Sequence, residues 1–300
     1  MYAITGATGN TGGTVARILL ARGEKVRTIG RSADRLRSLA AVGAEVVTCD
    51  LTDAPALTRA FSGVKAVFAM IPPNLTSEDY PAYQNQVTDS LASALERCDV
   101  KHAVTLSSIG ADKAEKTGPV LGLHNLEQRL NGIRGLNVLH LRAGYFMENT
   151  LAQIGAIKAM GTTGGTLRPD LKVPMIATRD IGAAFAERLH RLDFKGQTTR
   201  ELLGQRDLSM TDATLIIGKA INRPDLTYVQ ISDEEFTKFM TQNGMSVNVA
   251  DLLIEMAAAL NSGHMRALEK RSPQNTTTTA YETFVSEEFV PRFKGRAASV

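Results

Sequence analysis

The sequence predicts an α/β fold: a doubly wound parallel sheet followed by a smaller C-terminal mixed α/β lobe. Three observations carry this. Strand-length apolar segments alternate with segments of helical periodicity six times between Met1 and Asn149. The first strand runs directly into a glycine-rich turn that opens a helix. After Asn149 the alternation gives way to helical segments and glycine-rich loops. Residues 1–149 are therefore expected to form the sheet domain, and residues 150–300 a smaller lobe packed on it.

Tyr2–Thr5 is a short buried strand, and Val15, Ile18 and Leu19 recur at helical spacing between Gly13 and Arg22. Lys25–Ile29 is strand two. Gly30-Arg31-Ser32 ends it, and Ser32 caps a helix over about Ala33–Val42. Glu45–Thr48 is strand three. Thr52 or Asp53 caps the next helix, with Pro55 in its first turn. Lys65–Met70 is strand four and stops at Ile71-Pro72-Pro73. A long helix follows over about Tyr80–Arg97, then strand five at His102–Leu106, ending in Ser107-Ser108. A helix over about Val120–Leu130 leads to strand six at Asn137–Leu141. Right-handed crossovers give the order 3-2-1-4-5-6, which is the Rossmann arrangement.

In the second half, Leu151–Met160 reads as a helix and Gly161–Gly165 as a flexible loop, either a mobile flap beside the substrate cleft or a plain surface loop. Asp180 is positioned to cap a helix over Ile181–His190. Glu201–Leu203 and Tyr228–Ile231 are strand candidates, and Thr211–Ile221 is helical. Ser232 and Glu235 have capping-box spacing. Val249–Leu260 is an apolar-rich helix. Thr276–Thr279 would cap a last amphipathic helix carrying Tyr281, Phe284, Val285 and Phe289.

The turn Gly6-Ala7-Thr8-Gly9-Asn10-Thr11-Gly12 has the spacing of a pyrophosphate cradle. Gly6 allows the tight turn, Gly9 lets the backbone approach the phosphates, and Gly12 lets the helix lie close to the strand. The helix start then aims free N–H groups and a positive dipole end at the anion. The residue after strand two sets the type of dinucleotide. An acid there would accept from the adenine ribose of NAD, but this chain has Arg31, with Arg35 four residues on. An arginine can pair bidentately with a 2′-phosphate, so NADP(H) is the expected cofactor.

A net charge of +3 with short basic runs gives no reason to expect nucleic acid. No apolar run reaches membrane-spanning length, and the N-terminus reads as a structural strand, not a leader. Cys49 and Cys98 form no metal or CxxC pattern, and Cys49 reads as an inert core thiol. A cytoplasmic, reducing setting follows. No histidine pairs with another ligand at metal spacing, so no metal is expected. Ser107-Ser108 lacks a hydrolase elbow, and the carboxylates lie on helices where solvated faces are expected.

Thr5–Gly12, Gly30-Arg31-Ser32, Asp50-Leu51 and Leu141–Asn149 resemble the NmrA-like group of atypical short-chain dehydrogenases/reductases, and Ile176–Ile181 extends the resemblance. The family contains NADPH-dependent quinone reductases, isoflavone-type reductases, and regulators that bind NADP without turning it over. The resemblance implies that Gly6–Gly12 hold the pyrophosphate, that Arg31 and Arg35 meet the 2′-phosphate, and that Asp50 and Leu51 lie beside the adenine. Met70, Ile71 and Pro72 would line the cofactor path, and Ser107 would sit at the nicotinamide region. Tyr145 and Phe146 would flank the nicotinamide or serve plain core packing.

Ordinary short-chain dehydrogenases carry a Tyr-x-x-x-Lys pair on the helix after strand five, where the lysine lowers the tyrosine pKa. Gly118–Glu127 has neither residue. His124 alone there could act as an acid or hold a ribose hydroxyl, and otherwise it is a packed or capping histidine. Two functions fit. One is an enzyme passing hydride from NADPH to a quinone or similar electron-poor small molecule, with His124, Tyr145 or water at the chemistry. The other is an NADP(H)-binding redox-sensing regulator acting through a protein partner without turnover. A monomer or a homodimer suits either.

Overall fold

The computed structural model describes residues 1–295. Its central sheet is built from β1 (Tyr2–Ile4), α1 (Asn10–Ala21), β2 (Val26–Gly30), α2 (Ala33–Ala40), β3 (Glu45–Thr48), α3 (Ala54–Phe61), β4 (Ala66–Ala69), α4 (Tyr80–Arg97), β5 (His102–Ser108), α5 (Val120–Asn131) and β6 (Asn137–Ala143). The strand order 3-2-1-4-5-6 is the expected one, and every pairing in it is parallel. Local chemistry sets the helix starts. Ser32 accepts from the Arg35 N–H, and Asp53, not Thr52, accepts from Ala56. Thr52 is spent on the Asp50 carboxylate.

The chain continues through β7 (Tyr145–Phe146), a 3₁₀ turn at Met147–Ala152, α6 (Gln153–Met160), β8 (Thr163–Gly165), β9 (Val173–Ile176), α7 (Thr178–Arg191), β10 (Gln197–Leu202), β11 (Arg206–Leu208), α8 (Met210–Ala220), β12 (Tyr228–Gln230), α9 (Asp233–Gln242) and α10 (Val247–Asn261). Among the described residues, the last element is a run of continuous helical turns over Tyr281–Phe293 that includes a π-type turn at Val285–Phe289.

The sheet layer runs past Asn149. β10 pairs parallel with β6 as a seventh strand, from Gln197 against Val138 to Leu202 against Ala143. α7 packs beside α1, and its Phe185 meets Phe68 of β4 edge-on, ring centroids 4.8 Å apart. One face of the sheet is covered by α1, α2 and α7, the other by α3, α4 and α5. A third core, around Met147, Met175, Ile217, Tyr281 and Phe289, belongs to the lobe. No helix among the described residues is long and apolar enough to cross a membrane.

Three local expectations are corrected. Gly161–Gly165 is not a free loop: Thr163–Gly165 pairs with β12, and Gly164 exchanges two hydrogen bonds with the Gln153 side chain (2.9 and 3.0 Å). Asp180 does not cap α7. Glu148 does so from a distant turn, accepting from the Thr178 N–H and hydroxyl, while Asp180 accepts from Thr279. Thr279 is thereby committed, and the last helix starts behind Ala280 with no side-chain cap.

Candidate active site

The cradle is shaped by backbone. Gly6 has φ +61° and lies against Met70; a Cβ on it would approach the Met70 sulfur to 2.3 Å. Gly12 lets α1 press onto the turn, since a Cβ there would stand 2.5 Å from the Gly6 carbonyl oxygen. The Thr5 hydroxyl donates to the Phe68 carbonyl and accepts from the Met70 N–H, tying the end of β1 to the end of β4. Gly9 stands at the N-cap of α1 with no side-chain cap, so the first-turn N–H groups remain available to an anion. These features fit a dinucleotide pyrophosphate.

At the end of β2, Arg31 is exposed and makes no ion pair among the described residues. The Arg35 guanidinium reaches across to the Thr8 carbonyl (3.4 Å). The nearest acid in sequence, Asp34, is engaged by Arg37 at 2.5 Å. The edge of the cradle thus presents two arginines, neither of them in an ion pair among the described residues. Leu51 is buried, whereas the Asp50 carboxylate is folded onto Thr52. The Tyr83 hydroxyl donates to the Pro72 carbonyl, which fixes the chain after β4.

A cleft of ≈ 660 Å³ opens beyond the ends of β4, β5 and β6, between the sheet and the lobe. Met70, Ile71, Ser107, Tyr145 and Phe146 line it together, as does Pro73 in place of Pro72. The lobe supplies Leu171–Pro174, Asp207, Met256, Leu260, Gly263 and Met265–Ala267. Gly161–Gly165, expected beside the cleft, does not border it. His124 is also absent from its walls; its Nδ1 donates to the Ala111 carbonyl (2.9 Å), the role of a packed histidine.

Beneath the cleft lies a polar cluster that the sequence concealed. Ser107 donates to Glu127 (2.5 Å), and Arg142 grips the same carboxylate with two bonds of 2.9 and 2.6 Å. Glu127 is 2% exposed, which corrects the expectation of a solvated helix-face carboxylate. The register puts Ser107 directly beside Arg142, and Thr105 beside His140 one step below. His140 bonds Thr105 (2.6 Å) and Asn131 (3.0 Å), and burial pushes its pKa down to about 4, opposed by Glu127 and reinforced by Arg142. Because Ser107 donates inward, its lone pairs are left as acceptors toward the cleft. Burial pushes the Tyr145 phenol up to about 12 against the influence of Asn149, so it stays protonated at neutral pH and offers a hydrogen-bond donor.

A family model for the NmrA-like family matches residues 2–290. The chain belongs to the NmrA-like family. Among curated NmrA-like relatives, an NAD(P)H azoreductase of Xenophilus azovorans is 28% identical over 278 residues, covering 92% of this chain and 93% of that one. Quinone oxidoreductase 2 of Escherichia coli (strain K12) is 27% identical over 289 residues, covering 93% and 96%. A crystal structure of an NADPH-dependent quinone oxidoreductase from Escherichia coli superposes with a TM-score of 0.78 at 25% identity, covering 96% of this chain and all of that one. The NmrA-like chain carries no Tyr-x-x-x-Lys pair on α5, whose sequence is Val-Leu-Gly-Leu-His-Asn-Leu-Glu-Gln-Arg-Leu-Asn.

Proposed function

We propose that this chain is an NADPH-dependent oxidoreductase that reduces a quinone or a similarly electron-poor flat acceptor. The observation that carries the reading is placement. An apolar cleft of ≈ 660 Å³ begins at the end of β4, on one side of the point where the strand order reverses, and its Met70 touches Gly6 of the cradle. Ligands of open α/β sheets bind at that switch point, and a cleft of this volume suits a small molecule. The relatives named for NAD(P)H-linked azo and quinone reduction support it. NADP(H) is the cofactor. Gly6–Gly12 and the α1 N-terminus hold its pyrophosphate, and Arg31 and Arg35 meet the 2′-phosphate.

Bound NADPH supplies a hydride, two electrons with one proton, and the quinone needs one further proton from solvent to become the hydroquinone. Ser107, oriented by Glu127, would accept a hydrogen bond from the carboxamide side of the nicotinamide region. Phe146 and Tyr145 flank a flat ring, and the Tyr145 hydroxyl donates to an acceptor oxygen. Methionines at 70, 256 and 265 shape the walls to rings of different outline. A quinone becomes aromatic on reduction, so a strong positioned acid is dispensable, in keeping with a His124 that is held away.

The test is loss of reduced-nicotinamide absorbance with a panel of quinones. Turnover that disappears in Gly12→Val is expected. Tight NADPH binding with no turnover on any quinone, azo compound or carbonyl would instead favour an NADP(H)-sensing regulator.

A further inference from the structure

We propose that the acceptor is an aromatic bearing an anionic substituent, a sulfonate or carboxylate, received at the cleft mouth by Lys172 and Arg266. The proposal rests on the reductase reading and adds the class of acceptor. The cleft walls are mainly aliphatic and aromatic, yet two exposed cations interrupt them, both from the lobe. Neither makes an ion pair or a side-chain hydrogen bond among the described residues. The single carboxylate lining the cleft, Asp207, is engaged by Arg271. Asp212 feels Lys172 electrostatically, but it is committed to the capping box of α8 with Ser209. No carboxylate among the described residues forms an ion pair with either cation, so both guanidinium and ammonium heads are open to an anion from solution.

Both cations stand on fixed backbone. Lys172 directly precedes β9, whose Val173 pairs with Leu208. Arg266 sits in a strap pinned on either side. Before it, His264 donates to the Glu115 carbonyl (3.1 Å), and Met265 is buried against Gly110. After it, the buried carboxylate of Glu201 accepts from the Leu268 and Glu269 N–H groups at 2.8–3.0 Å. Holding a cation in place this way lowers the ordering cost of meeting an anion. An acceptor with an apolar ring system and one anionic end satisfies both halves of the cleft, whereas a neutral ring leaves both charges without a partner.

Binding of naphthalene-2-sulfonate and of neutral 2-naphthol to the NADP⁺-saturated protein, measured by calorimetry, tests this. NADP⁺ fills the cradle, so the sulfonate cannot report on the phosphate site. The sulfonate should bind more tightly, and added salt should erase the difference. Lys172→Ala/Arg266→Ala should weaken the sulfonate roughly tenfold relative to 2-naphthol, the scale of two partly exposed ion pairs. Arg266→Glu should reverse the preference. A sulfonate-to-naphthol ratio that these substitutions leave unchanged would overturn the proposal. Failure of the reductase reading shows separately, as no NADPH oxidation with a neutral quinone.

Discussion

The glycine cradle and the cleft meet at the end of β4, where Met70 lines the cleft and lies against Gly6, but they are built in different ways. The cradle comes from one short segment, Thr5–Gly12, and works through backbone: a positive φ at Gly6, an uncapped helix start, and a close approach at Gly12. The cleft is assembled from segments as far apart as Met70 and Ala267, and its floor depends on buried side-chain pairs such as Glu127–Arg142. Substitutions in the cradle should therefore show first as lost cofactor affinity, and substitutions in the floor as lost stability.

The largest effect belongs to the floor. Glu127→Ala leaves the Arg142 guanidinium without its buried partner and should cost about 3–5 kcal/mol in urea unfolding. The pair Glu127→Leu/Arg142→Met should recover much of it, because no charge is then stranded. A loss under about 1 kcal/mol in Glu127→Ala would mean that the floor is not held by this pair.

Next is acid sensitivity. The folded pKa of His140, about 4, lies below the ordinary histidine value of 6.5, so the unfolded chain binds this proton more readily. The stability this represents is present above pH 6.5 and is lost as pH falls toward 4, by about 3 kcal/mol across the window. His140→Gln should flatten the slope of unfolding free energy in that range. An equally steep slope would assign the acid response to other groups.

Arg31→Ala tests the cradle. Losing a charge-assisted contact to the 2′-phosphate should cost about 1.5–3 kcal/mol in NADPH affinity and leave NADH nearly unaffected. Equal losses for both cofactors would break the assignment of Arg31.

How much was legible follows the same division. Gly6–Gly12, Ser32 and the six alternating strands are readable because each acts through neighbours in sequence, and the same reading narrows the α3 cap to Thr52 or Asp53. β10 reads as a strand candidate from residue 201, but nothing local reveals that it extends the sheet beside β6. Glu127 looks like any helix carboxylate until α5 is laid over β5 and β6. Asp180 has the sequence position of a cap, but the distant Glu148 takes that role. The strap at Gly263–Ala267 carries no motif, and only the fold brings it to the cleft.

The smallest expected effect on the fold gives the sharpest test of the site. Met256 lines the cleft on α10 and belongs to the lobe side. Met256→Trp should fill acceptor space and leave the cradle alone. Two quantities are to be compared with the unsubstituted protein: the NADPH Kd, from nicotinamide fluorescence, and the KM of a neutral quinone during NADPH oxidation. The expected result is turnover by the unsubstituted protein and, in Met256→Trp, an acceptor KM raised about tenfold, the scale of a packing clash of 1–3 kcal/mol, with the NADPH Kd within about twofold. No turnover by the unsubstituted protein, or a parallel loss of NADPH affinity in the variant, would contradict a reductase whose cofactor and acceptor sites are built separately.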